Sequence, residues 1–279
     1  MSKFRRKSFA SDNWAGVCPE VMAAMVEANV DYAPAYGDDK YTELAQLEFK
    51  KLFGNQSETY FVYNGTGANI LALSNVSHSF NAIICSAEAH VNVDECGGFE
   101  NTSGAKLIDI PTENGKLTVD MIQPFVDSLR HPHQSVPNVI SITQATEVGT
   151  VYTNEEIKIL ADFAHKHGML LHIDGARIAN AVVSQNTDFK TMITDTGADI
   201  LSFGGTKNGM MFGEAVVFLK PELVNHFELY RKQGMQLHSK MRFISAQFIA
   251  LLQNDVWKKN ALHANKMAQY LAERLNSFP

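Results

Sequence analysis

The sequence predicts an α/β fold: a mostly parallel central sheet flanked by helices. Short apolar runs alternate with segments of helical periodicity along most of the chain. Several runs are apolar at every position, the pattern of strands buried on both faces. Alternation of this kind implies a parallel sheet whose ligands bind at the carboxyl ends of its strands.

The strands are read in order as "TYFVY" (59–63), "NAIICS" (81–86), "AKLIDI" (105–110), "NVISIT" (138–143), "MLLHID" (169–174), "DILSF" (199–203) and "AVVFL" (215–219). A helix is expected after "GTGAN". A second, "TVDMIQPFVDSLR", is expected to be interrupted by Pro124. The third, "TNEEIKILADFAHKHG", has Thr153 or Asn154 as N-cap, acidic residues in its first turn and Gly168 at its end. From about 221 onward the pattern is helical. The expected division is an arm over 1–20, a large domain over 21–243, and the beginning of a small C-terminal domain, cut short, over 244–279.

Composition narrows the function classes. The 279 residues are 45% hydrophobic and 19% charged, an ordinary globular balance. A net charge of -6 argues against a nucleic-acid surface driven by bulk charge. No apolar run reaches the ~18 residues of a membrane span, and the basic start lacks the apolar core of a secretory signal. Cys18, Cys85 and Cys96 are scattered and suggest neither a disulfide framework nor a zinc site. No HExxH pattern occurs, so no metal is expected. The expected compartment is the cytoplasm.

A few residues invite chemistry. Gly65, Thr66 and Gly67 stand between a strand and a helix, where backbone N–H groups suit a phosphate; a plain tight turn is the alternative. Asp174 ends a strand, where a buried carboxylate needs a partner such as a protonated heteroaromatic nitrogen, or else caps the next helix. Arg177 suits a substrate carboxylate or a surface ion pair. His90 follows a strand end and reads as catalytic or structural. His133 precedes a strand, and His165 and His167 sit in a helix's last turn, where a cation favours the dipole. Lys207 follows "SFGG" at the end of a buried run, an unusual place for a lysine without a partner. A lysine amine for a Schiff base, a carboxylate to hold a pyridine nitrogen protonated and a turn for a phosphate together meet the needs of pyridoxal 5'-phosphate (PLP). The paired glycines beside Lys207 are expected to make room for its ring.

With these motifs the chain resembles the low-specificity L-threonine aldolases, within the fold-type I PLP enzymes. The resemblance is carried by "SDN" (11–13), "YGDD" (36–39), "NGTGAN" (64–69), "AHVNVDECG" (89–97), "ITQATEVGTVY" (142–152), "HIDGARIANA" (172–181), "SFGGTKNG" (202–209) and "SKMRFISAQ" (239–247), in order over nearly the whole chain. It implies that Lys207 binds the cofactor covalently, with Thr206 beside it, that Asp174 faces the pyridinium, and that His90 stacks on the ring. It implies a phosphate loop at Gly65, Thr66 and Gly67, cofactor contacts from Arg177 and Arg242, and substrate contacts from Ser11, Tyr36 and Arg177. His133 is implied near the substrate hydroxyl, so that His90 and His133 are the two candidate bases. A homodimer or homotetramer with shared sites is implied, acting on a small amino acid.

The implied reaction is cleavage of L-threonine or a related β-hydroxy-α-amino acid to glycine and an aldehyde. The alternatives are a β-eliminating lyase or dehydratase on the same cofactor, and a non-catalytic PLP-fold subunit. A nucleotide-binding oxidoreductase is disfavoured by the broken glycine fingerprint. The family's late carboxylate-clamping arginine has no counterpart before Pro279, and an exposed apolar face is expected on the last helix.

Overall fold

A computed structural model describes residue 8, residues 10–276 and residue 278. It contains seven strands: β1 (Glu58–Val62), β2 (Asn81–Ser86), β3 (Lys106–Ile110), β4 (Val136–Thr143), β5 (Leu170–Gly175), β6 (Ile200–Gly204) and β7 (Glu214–Phe218). Each expected strand is present, with ends shifted by at most two residues. They form one sheet in the order β1-β7-β6-β5-β4-β2-β3. All pairings are parallel except those of β7, which runs antiparallel to both β1 and β6. The reversed β7 therefore brings its first residue, Glu214, to the edge where the other strands end, opposite Val62 and Gly204.

The helices are α1 (Pro19–Glu27), α2 (Lys40–Phe53), α3 (Gly65–Asn75), α4 (His90–Val93), α5 (Gly98–Ser103), α6 (Val119–Asp127), α7 (Asn154–Lys166), α8 (Ile178–Ser184), α9 (Phe227–Gln233), α10 (Arg242–Leu252) and α11 (Val256–Leu275). Side chains alternate across a strand, and this alternation divides the core in two. Ile140, Ile142, Leu171, Ile173, Leu201 and Phe203 face one large cluster, shared with residues of α2, α7, α8 and α10. The intervening positions face α3, α5 and α9, where two smaller clusters form. On that second face β4, β5 and β6 carry polar residues: Ser141, His172, Asp174 and Ser202, all buried.

Local chemistry accounts for the helix ends. Thr153 caps α7 in a capping box with Glu156. Asp39 caps α2 by accepting from the Thr42 amide at 3.0 Å. Pro124, expected to interrupt its helix, lies inside a continuous α6. The carbonyl it leaves without a helical N–H is that of Asp120, and both residues are exposed to solvent.

The expected start of a small domain at 244 falls inside α10. Ile244, Phe248 and Leu251 are fully buried in the main core. Phe248 packs against Phe49, Phe61 and Phe203, with ring centroids 5.3, 5.1 and 6.2 Å away. α11 begins in the same core through Val256, Trp257 and Ala261, and from Leu262 onward it carries exposed apolar residues, including Met267, Leu271 and Leu275.

Phe248→Ala tests whether α10 belongs to the main core. Removing a buried aromatic ring costs about 3–5 kcal/mol. We expect a loss of that order in a urea titration that follows the whole sheet, as one transition. A small loss with an unchanged sheet transition would place α10 outside it.

Candidate active site

A pocket of about 430 Å³ opens at the carboxyl edge of the sheet. It collects the loop after β1, the turn after β2, the ends of β4, β5 and β6, and the start of β7. Its size suits a small cofactor together with an amino acid.

Asp174 ends β5 and is 7% exposed. Its Oδ2 accepts from Asn69 Nδ2 at 2.7 Å, and its Oδ1 accepts from the Ala176 amide at 2.9 Å. The cap alternative is not realised: α8 has Arg177 at its N-cap with no side-chain cap bond, and this Asp174 oxygen serves only the turn before it. The other oxygen is held by α3. Asn69 Nδ2 also donates to Glu95 Oε1 at 2.8 Å, and Glu95 Oε1 lies 2.9 Å from His90 Nδ1. The hydrogen bond to Glu95 raises the His90 pKa above that of an ordinary histidine, against the opposing effect of burial. His90 therefore keeps its ring proton to higher pH. Burial raises Glu95 in turn.

Two residues behind Asp174 on the same strand face lies His172. Its ring joins Ser141 Oγ at 2.9 Å and Ser202 Oγ at 3.0 Å. Full burial pushes its pKa down to about 4, so the ring is neutral. One nitrogen donates to a serine oxygen and the other accepts from a hydroxyl.

At the turn expected to hold a phosphate, Asn64 caps α3 by accepting from the Gly67 amide at 2.7 Å. That amide is spent, and Gly67 does not line the pocket. Its lack of a side chain answers to Gln236 instead. A Cβ at Gly67 would collide with the Gln236 amide group, which is anchored by the Tyr63 N–H at 2.9 Å. Gly65 and Thr66 do line the pocket, and a Cβ at Gly65 would meet nothing within 4 Å.

Lys207 lies in a short 3-10 turn after β6 and lines the pocket half-buried. Among the described residues it has no hydrogen bond or ion pair. The turn is fastened by Glu214, whose Oε2 accepts from the Gly205 amide at 2.6 Å and which also bonds Thr206. Burial pushes Glu214 up to about 7. The paired glycines beside Lys207 were expected to make space for a ring. They instead allow backbone contact: a Cβ on Gly204 would strike the Ala176 backbone, and one on Gly205 would strike Met210 and the Gly213 carbonyl.

Other expected residues are dispersed. Arg177 lines the pocket, but its guanidinium holds Asp12, with Nε 2.7 Å from Oδ2 and Nη2 3.1 Å from Oδ1. Ser11 Oγ accepts from the Asn13 amide at 3.2 Å, and it is Asn13 that reaches the pocket. Tyr36 is exposed and lies under Lys232, 5.0 Å from its ring centroid. Arg242 Nη1 donates to the Val30 and Asp31 carbonyls at 3.3 and 3.2 Å. Neither Tyr36 nor Arg242 lines the pocket of this chain.

His133 is a clear correction. It precedes β4, so it lies at the opposite end of that strand from Thr143, roughly 25 Å away at ~3.3 Å per residue. It lines a different cleft, with Phe125 and Gln134.

Sequence reasoning missed Asn69, Glu95, Glu147 and Glu214. Glu147 follows the end of β4 and lines the pocket. Its Oε1 accepts from the His90 amide and from Thr143 Oγ1, each at 2.8 Å. A signal was present for two of them, since Glu147 closely follows the end of β4 and Glu214 opens β7.

The beta-eliminating lyase family model matches residues 8–279. The chain belongs to this family. Within it, the chain is 44% identical to the low specificity L-threonine aldolase of Pseudomonas aeruginosa, over 98% of this chain and 79% of that protein. It is 28% identical to the low specificity L-threonine aldolase of Saccharomyces cerevisiae, over 94% of this chain and 67% of the other. The solved structure of Leishmania major threonine aldolase superposes with a TM-score of 0.93 at 29% identity, covering 98% of this chain and 80% of that one. A PLP-bound C-S lyase from Staphylococcus hominis shares the fold at 14% identity and a TM-score of 0.66, over 94% of this chain and 68% of that one.

The buried His172 makes stability depend on pH. Its folded pKa of about 4 lies below the ordinary 6.5, so as pH falls the unfolded chain takes up the proton first. Stability is complete above about 6.5 and is lost as pH falls toward 4, by at most ~1.4 kcal/mol per pH unit. Urea midpoints measured across this window should fall more steeply for the native protein than for His172→Gln. Parallel slopes would refute the assignment.

Proposed function

We propose that this chain is a PLP-dependent carbon–carbon lyase of the low-specificity L-threonine aldolase type. It cleaves L-threonine and related β-hydroxy-α-amino acids to glycine and an aldehyde. The observation that carries this reading is the 44% identity to such an aldolase over 98% of the chain. The pocket supports it by gathering Lys207, Asp174 and His90.

The residues present fit the cofactor. The open space in front of Gly65, at the N-terminus of α3, suits a phosphate. Asp174, buried and held from two sides, suits a protonated pyridine nitrogen. Asn69 Oδ1 is buried without a protein partner beside it. Lys207 has an amine free to meet the cofactor's carbonyl carbon. When bound, PLP supplies the electron sink that lets the bond between Cα and Cβ break.

The chain's own residues do the rest. Asp174 keeps the ring nitrogen charged. Gly65 and Thr66 fix the phosphate end. His90, oriented by its hydrogen bond to Glu95, would stand against the ring. Arg177 meets the substrate carboxylate if it trades Asp12 for it. Glu214 holds the lysine turn in place through Gly205 and Thr206.

Tyr36 and Arg242 stay outside the pocket of one chain, while Val26, Val30 and Tyr32, in the stretch that Arg242 bonds, are exposed. These features support a homo-oligomer in which a neighbour completes the site. The three free thiols, one of them buried, suit the cytoplasm.

Lys207→Ala should lose the visible absorption band of lysine-bound cofactor, and turnover with it. It should still retain some PLP noncovalently. With L-threonine, the wild type should release glycine and acetaldehyde. Release of 2-oxobutanoate and ammonia would instead identify a dehydratase. Light scattering at micromolar concentration should give at least a dimer, and a fully active monomer would overturn the shared-site reading.

A further inference from the structure

The proposed reaction requires a group that takes the proton of the substrate β-hydroxyl, and the two histidines expected for that task do not meet its needs. His133 lies at the far end of β4. His90 is committed to the cofactor ring in the reading above, and its Nδ1 is already hydrogen-bonded to Glu95 Oε1 at 2.9 Å.

The remaining titratable groups of the pocket are mostly engaged. Asp174 is bonded by Asn69 and the Ala176 amide. Glu214 is buried against the lysine turn. Arg177 holds Asp12 and is a cation. Tyr63 stacks on Phe212 at 5.2 Å, beside the phosphate turn. Lys207 is assigned to the cofactor.

Glu147 is the exception. Its Oε1 is fixed by two donors, the His90 amide and the Thr143 hydroxyl. Neither of these donors engages Oε2, and the residue is exposed at the pocket wall. Thr143 pairs in register with Asp174, so this carboxylate stands at the end of the strand next to the proposed pyridinium partner.

We propose that Glu147 is the residue that accepts the substrate's β-hydroxyl proton. The proposal rests on the aldolase reading above. In the step, the O–H bond breaks and its proton passes to Glu147 Oε2. The oxygen's electron pair forms the aldehyde C=O bond as the bond between Cα and Cβ breaks. The pair from that bond remains with Cα, which is protonated to complete glycine. The proton on Glu147 then returns to solvent through the open pocket mouth. Desolvation in the pocket, with the nearby Asp174 charge adding to it, raises the Glu147 pKa above that of an ordinary glutamate, closer to the range of a working base.

The test separates this step from cofactor chemistry. Glu147→Gln keeps a carbonyl oxygen for the His90 amide and the Thr143 hydroxyl but cannot take the proton. In that variant L-threonine cleavage should fall ~10²- to 10⁴-fold, the usual span for losing a general base. Exchange of the glycine α-proton with deuterated water needs no β-hydroxyl and should be unchanged. PLP affinity, measured by fluorescence titration of the cofactor-free protein, should also be unchanged. In Glu147→Ala, added formate should restore cleavage in proportion to its concentration, which a purely structural role would not allow.

Retained cleavage in Glu147→Gln, equal loss of cleavage and exchange, or no formate rescue would each overturn the proposal. If the wild type itself neither binds PLP nor exchanges glycine protons, the aldolase reading fails, and this proposal fails with it.

Discussion

The site depends on how one buried carboxylate is kept satisfied. Asp174 ends a strand in the middle of the sheet, where a lone charge would cost several kcal/mol. Asn69 resolves this by donating one N–H to Asp174 and the other to Glu95. Because Asn69 belongs to α3, the same two bonds fix the helix whose N-terminus forms the proposed phosphate turn. Because Glu95 holds His90, they also fix the imidazole. Three segments far apart in sequence are thereby set relative to one another by a single amide group. Beneath them the neutral His172, held between Ser141 and Ser202, fills the polar face of the sheet without adding a charge.

The fold was legible in the sequence because strand burial writes itself as unbroken apolar runs. All seven runs became strands, and the residues just after them, Gly65, Asp174 and Lys207, reached one pocket because parallel strands end on one edge. What period and propensity do not carry is which backbones touch. Gly204 and Gly205 were read as space for a ring and Gly67 as part of a phosphate turn, yet Gly67 answers to Gln236, Gly204 to Ala176, and Gly205 to Met210 and Gly213. His133 was placed by resemblance, and its position before β4 rather than after it sends it to the wrong end of the sheet. Pro124 was given its usual helix-breaking weight, but exposure of the Asp120 carbonyl removes most of that cost.

Glu147, Glu95 and Glu214 were overlooked for a related reason. An acidic residue in a loop is most often solvated, and nothing in composition distinguishes one that folds back onto a strand end. Their partners are the His90 amide, the His90 ring and the Gly205 amide, contacts set by tertiary structure. The boundary expected at 243 was drawn inside the helical stretch that begins near 221. Burial shows instead that α10 closes one face of the sheet, with Phe248 among the rings of α2, β1 and β6.

The reversal of β7 has a consequence for how the lysine is carried. A strand running the other way puts its first residue, rather than its last, at the ligand edge, and that residue is Glu214. The loop bearing Lys207 is therefore anchored through the backbone of Gly205, two positions before the lysine, and not through the lysine's own amine. Anchorage and reactivity are divided between two residues. The main chain is tied to the sheet at Gly205, while the four-carbon arm of Lys207 carries none of that anchorage, so the support of the turn does not depend on what the amine bonds.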